Sequence, residues 1–464
     1  MKTDCTPTLF EFEPIEKRRV EAAFDGGVMT SNAGDLLLWR LDQGMDLSKR
    51  VAACFSDRRD PARIEHALQS MIAQRVHGIA LGMEDLIDHH QFRHDPVVQV
   101  LTGKTEAKRS DCAVGAGQHT LNRLENAPLE GVDRHHKITV DETRIEKLFL
   151  DLFLDAKGKT PKEFVIIDFD ATDFPLHGRQ EDRFFHGYYD THCYLPLYAF
   201  CGGHLLAAKL RPSNIDGSAG TLEEIIRIVA HLRSRWPRVK ILIRGDSGFA
   251  RDAIMTWCEE NKVDFLFGMA RNERLQKILA PELAEAKRQS AESGKAARVF
   301  KDFRYRTLTS WTTSRRVVGK AEQTLLGSNP RFVVTSLAPE AHEAKPLYEN
   351  LYCARGDMEN RIKEQQLGLF ADRMSAHAMR ANQIRLWLAS FAYVLIHQFR
   401  RVGLRWGRLA NAQVETIQSK IFKVAAWVRI SVRRIRFGMA SSHPWQQEFA
   451  LADALIRQRY PSPG

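Results

Sequence analysis

Two short runs of mostly β-branched residues, Val165-Ile-Ile-Asp-Phe-Asp170 and Lys240-Ile-Leu-Ile-Arg-Gly-Asp246, each end in an aspartate. A third acid, Glu359, opens a helical pattern inside Leu351-Tyr-Cys-Ala-Arg-Gly-Asp-Met-Glu-Asn-Arg-Ile-Lys-Glu364. Short apolar runs alternating with amphipathic helices predict an α/β sheet. In such sheets ligands gather beyond the carboxyl ends of the strands. Two strand-end aspartates and one helix glutamate form an oxygen donor set for hard divalent cations. Paired cations of that kind serve in-line displacement at phosphorus.

Strand alternation puts Asp168 and Asp170 on one face, so either can hold a cation. Asp246 has a structural alternative as a helix N-cap, although the next helix begins near Arg251. Glu359 and Lys363 lie four apart on one helix face, the spacing of an ordinary surface ion pair as well as of a site. Arg355 offers a fork suited to phosphate.

The intervening pattern reads as a strand, a hairpin turning at Gly202-Gly203, and a helix from Ala219 to Arg235. A strand at Val239–Ile243, a helix from Arg251 to Asn261 and a strand at Val263–Gly268 complete it. This is the order of a ribonuclease-H-like α/β domain, expected over residues 160–272 and 346–400. Between these lies a β-rich insertion, 273–345, that begins with a charged helix. Residues 1–25 read as irregular. The rest of 1–155 reads as a helical N-terminal region for binding DNA ends, and 401–464 as a basic helical C-terminal region.

At 464 residues the chain is long enough for two or three domains. Its net charge of +11 favours an acidic partner such as nucleic acid. Arg433, Arg434 and Arg436 crown the most basic stretch, in which phosphate binding competes with a plain solvated face. Seven cysteines form no C-x-x-C pair, which reads as a reduced intracellular protein. The first residues show no apolar signal core, and Ile384–Phe399 reads as a buried helix rather than a membrane span. There is no Gly-rich phosphate loop, so nucleotide hydrolysis is not expected.

The three motifs together resemble the DDE transposases of bacterial insertion sequences, in the branch marked by Tyr-x-x-Arg-x-x-x-Glu. Tyr352, Arg355 and Glu359 match that signature. Asp170-Ala-Thr172 matches the segment after the first strand, and Arg244-Gly-Asp246-Ser-Gly-Phe-Ala250 the segment after the fourth. One position departs: the branch often carries a lysine seven residues after the glutamate, where this chain has Gln366. The resemblance implies that Asp170, Asp246 and Glu359 are catalytic and bind two Mg²⁺ or Mn²⁺ ions. Tyr352, Arg355 and Lys363 would then meet DNA phosphates. Trp311 would stack on a flipped base or else pack within the strands. The implied partners are terminal inverted repeats and target DNA, in a homodimeric DNA complex within the bacterial nucleoid. Two alternatives remain: a ribonuclease-H-like metal nuclease without transposition, and a non-catalytic DNA-binding protein derived from a transposase.

Overall fold

The computed structural model describes residues 9–106, 108–131 and 136–461. The chain divides into two units, one formed by 1–139 with 391–464, the other by 140–390.

The 140–390 unit is a mixed α/β structure built on one large sheet. Its principal strands are β1 (Val165–Ala171), β2 (Leu197–Cys201), β3 (His204–Lys209), β4 (Ile241–Gly245), β5 (Asp264–Met269), β6 (Ala297–Tyr305), β7 (Arg315–Thr324) and β8 (Arg331–Thr335). They lie in the order β3-β2-β1-β4-β5-β8-β7-β6. β1, β4 and β5 run parallel, whereas β2 runs antiparallel to β1 and β3 antiparallel to β2. The expected hairpin turns at Gly202, whose φ of +58° is left-handed territory that glycine enters without strain.

Both faces of this sheet are covered, which is why its strands read as continuous apolar runs. Ile241, Ile243, Phe265 and Phe267 point into one core, while Leu242 and Leu266 point into the other. Helix α1 (Glu142–Lys157) and helix α2 (Thr221–Arg235) contribute Leu150, Phe153, Ile225, Ile228, Val229 and Leu232 to the first core. The apolar residues of α2 recur at three and four. Glu223 and Glu224 occupy its first turn and Arg233 and Arg235 its last, so both ends suit the helix dipole. Helix α3 (Asp252–Glu260) returns the chain from β4 to β5.

The strands expected as an insertion extend the same sheet. β8 pairs antiparallel with β5, and β7 with β8. Helix α4 (Glu273–Ser293) precedes them and buries Leu275 and Leu279. A small sheet of Phe174–Pro175, Phe184–His186 and Thr191–Tyr194, not foreseen from the sequence, lies between β1 and β2 in the chain.

The other unit carries helices at Asp35–Met45, Leu68–Ala80 and Gln118–Glu125. Two of its segments correct the sequence reading. Phe10–Ile15 and Arg18–Ala22 form an antiparallel hairpin where irregular chain was expected. Ala426–Ser431 and Arg434–Met439 form a second hairpin inside the region read as helical. In both, side chains alternate without a helical repeat. The arginine count of the second concealed the period of two in Trp427-Val428-Arg429-Ile430. Among the described residues no helix is long and apolar enough to cross a membrane.

Candidate active site

The site is built at the carboxyl ends of β1 and β4. In the parallel register Asp168 lies beside Arg244. Asp246 directly follows the last residue of β4, and its charge acts on Asp170. Past Gly245 the chain bends into a tight turn, Ser247–Phe249, capped by Asp246, whose Oδ1 accepts from the Gly248 amide at 2.7 Å. The capping alternative is thus real, but it uses one oxygen. The other makes no hydrogen bond among the described residues.

Glu359 reaches the same edge from a helical segment. A widened, π-type turn at Leu347–Tyr352 leads through Cys353–Arg355 into helix α5 (Gly356–Lys363). π-type turns concentrate at functional sites. Arg355 links the acids: its Nη1 stands 3.3 Å from Asp170 Oδ2, and its Nη2 donates to Glu359 Oε1 at 2.9 Å. The Asp170 side chain is largely buried, whereas that of Glu359 is about half exposed.

Burial pushes the Asp170 carboxyl up to about 6. Arg355 opposes that rise, and the charges of Asp246 and Glu359 add to it. Asp246 and Glu359 therefore both act on Asp170 through space. A carboxylate crowded by two others calls for a cation. Arg355 supplies that charge here. Among the described residues no three or more His, Cys, Asp or Glu side chains close around one point as a metal cage. The donor chemistry nevertheless suits a hard divalent ion, with three carboxylates and an uncommitted Asp246 oxygen.

Tyr352 lies beside the acids. Burial raises its phenol, Arg355 lowers it, and Asp246 raises it further. A Cβ placed on Gly268 of β5 would stand 2.5 Å from the Tyr352 hydroxyl, so glycine there gives the phenol its room. Tyr189, whose phenol burial pushes up to about 12, also feels the Asp170 charge. Nothing in the sequence around Tyr189 marked it.

Asp168, left open as a cation ligand, is committed elsewhere. Arg244 clasps both of its oxygens, with Nη2 to Oδ2 at 2.8 Å, and also donates to the Leu351 carbonyl. The pair is buried. Its signal was one charge of each sign inside neighbouring apolar strands.

Lys363 is exposed at the end of α5, and the Gln366 amide reaches the Asp173 carbonyl at 3.5 Å. Trp311 is 5% exposed and lies in the link between β6 and β7. It meets Tyr305 edge-to-face at 5.9 Å, with the Arg315 guanidinium over its ring. Its ring is thus packed among these side chains. Arg433, Arg434 and Arg436 lie on the exposed 426–439 hairpin of the other unit.

A family model described as transposase DDE domain group 1 matches residues 12–461. No curated protein matches the chain. Among solved structures, the cryo-EM structure of the piggyBac transposase synaptic complex with hairpin DNA is similar, with a TM-score of 0.38 and 10% identity. That likeness covers 92% of this chain and 82% of the other.

Proposed function

The chain belongs to the group 1 DDE transposase family, and from that premise we propose that it is an insertion-sequence transposase. It binds terminal inverted repeats, cuts DNA strands there and transfers the freed ends to a target. The observation that carries this reading is the meeting of Asp170 and Glu359 on the Arg355 guanidinium, with Asp246 at the end of the neighbouring strand. The strand order β3-β2-β1-β4-β5 supports a ribonuclease-H-like catalytic core.

DDE transposases use divalent metal ions. Asp170, Asp246 and Glu359 would hold two Mg²⁺ or Mn²⁺ ions, which when bound supply nucleophile activation and charge neutralisation. The chain's own residues prepare that site. The Gly248 amide fixes the Asp246 carboxylate in one rotamer, and Arg355 steadies Glu359. Arg355 also presents guanidinium donors toward the acids, where a phosphodiester oxygen can take them bidentately. Tyr352 and Lys363 add a hydroxyl and a cation on the same segment. Two copies of the chain would act together on paired ends.

The test is metal-dependent cleavage and strand transfer by the purified protein on labelled duplexes cut from the DNA flanking its gene. Cleavage with transfer supports the proposal. Cleavage without transfer of pre-nicked ends favours a metal nuclease. Binding without either reaction favours a DNA-binding derivative.

A further inference from the structure

The 426–439 hairpin carries an electrostatic conflict that no carboxylate among the described residues relieves. Its register sets Arg429 directly opposite Arg436, with Ser431 opposite Arg434. Side chains of opposed residues share one face. Three arginines therefore crowd one face of a two-stranded ribbon, and Arg433 adds a fourth cation at the turn. Like charges directly opposed destabilise a sheet. All four arginines are exposed, and among the described residues none is paired with a carboxylate.

The hairpin is nonetheless firmly rooted. Val428 donates to the Val28 carbonyl at 2.8 Å, and Ala440 to Ala425 at 2.9 Å. Ala426 packs with Ala33 and Val424, with Phe437 against them. Beyond Val428 the ribbon pairs only with itself, and Val432 at its tip is fully exposed. Its second face carries Ile430 and Ile435, both partly open to solvent. It is an anchored, projecting ribbon with one arginine face.

We propose that this hairpin is a DNA-binding ribbon that enters the major groove of duplex DNA, Arg429, Arg434 and Arg436 meeting phosphates or base edges. The inference rests on the reading of the chain as an enzyme that acts on DNA. A two-stranded ribbon fits a major groove about 12 Å wide. An anionic polymer is the partner that turns the opposed arginines from repulsive into favourable, and release of its counterions drives the association.

The decisive variant is Arg429→Glu in the full chain. It places an opposite charge across from Arg436, so the DNA-free protein should melt at a higher temperature. The same change should weaken binding to a duplex from the DNA flanking the gene at least about tenfold and lower the salt slope by about one or more. Arg436→Gln should also weaken binding without lowering the melting temperature. Methylation of guanine N7, a major-groove atom, should interfere with binding by the wild type.

A fall in both melting temperature and affinity would show a merely structural ribbon and overturn the proposal. Unchanged affinity would do so too. Interference confined to the minor groove would reject this docking. If the wild type neither binds nor cuts the duplex, the proposed function itself fails. If it binds and cuts but the variants match it, this inference alone fails.

Discussion

Nη1 of Arg355 stands 3.3 Å from Oδ2 of Asp170. An arginine thus takes up part of the negative charge of a site crowded with acids, and removing either partner should have a calculable effect.

Asp170→Asn should stabilise the metal-free protein while abolishing cleavage. The folded pKa of Asp170, about 6, is raised above the unfolded value of 3.8. The folded state then binds more protons, so wild-type stability falls as pH rises from about 4 through about 6. Above that window the asparagine should gain on the order of 3 kcal/mol. Melting curves across this range with a chelator present check it. A destabilised asparagine variant at pH 7 rejects the account of burial and crowding.

Asp246→Asn and Glu359→Gln keep size and remove charge. Each should lower cleavage and strand transfer by on the order of 10³ or more, with end binding close to that of the wild type. Arg355→Ala should impair the positioning of ends and so weaken both steps. Gel shifts and metal-dependent cleavage, with Ca²⁺ as a comparison, separate the two outcomes. Robust cleavage by Asp246→Asn would falsify the carboxylate–metal mechanism at that residue.

Arg244→Ala and Asp168→Asn should act on stability first. Each leaves a buried group without its ionic partner, which typically costs about 3–5 kcal/mol. Because Arg244 also holds the Leu351 carbonyl just before Tyr352, the segment carrying Arg355 and Glu359 should loosen with it. Faster hydrogen exchange across 347–363 in Arg244→Lys, which keeps the charge but not the fork, is the expected signature.

How much of this could be read in the sequence depended on whether burial leaves a one-dimensional trace. β1 and β4 are covered on both faces, so their runs were unbroken and their terminal aspartates stood out. Gly202-Gly203 announced its own turn. Pairing across the sheet left no such trace: 297–335 read as strands, but only register joins β8 to β5. The 10–22 and 426–439 hairpins are exposed on much of both faces, so no apolar contrast revealed them. Asp168 and Asp170 share a face, and spacing could not assign one to Arg244 and the other to the site. Tyr352, Arg355 and Glu359 stood out through their resemblance to the family signature, and the spacing of four sets Arg355 and Glu359 on one side of the helix.

His77 gives the helical unit a pH limit of its own. Its Nδ1 lies 2.8 Å from Asp35 Oδ1 and its Nε2 3.1 Å from Asp42 Oδ2, all three side chains being buried. Two carboxylates accepting from both ring nitrogens require the doubly protonated imidazolium. Burial alone would lower the pKa, but Asp35 and Asp42 outweigh it and hold His77 at about 10, above the unfolded 6.5. A group raised on folding contributes fully below its unfolded pKa and loses that contribution as pH climbs through its folded one. Asp42 is lowered on folding, so its share is lost in acid, below about 4. The cluster should therefore stabilise most between about pH 4 and 6.5 and weaken steadily toward pH 10. His77→Gln should cost on the order of 3 kcal/mol at pH 6 and flatten the alkaline decline. Hydrogen exchange in Asp35–Met45 and Leu68–Ala80, which carry the three residues, reads this locally. An alkaline decline as steep in His77→Gln as in the wild type would assign the pH limit to other groups.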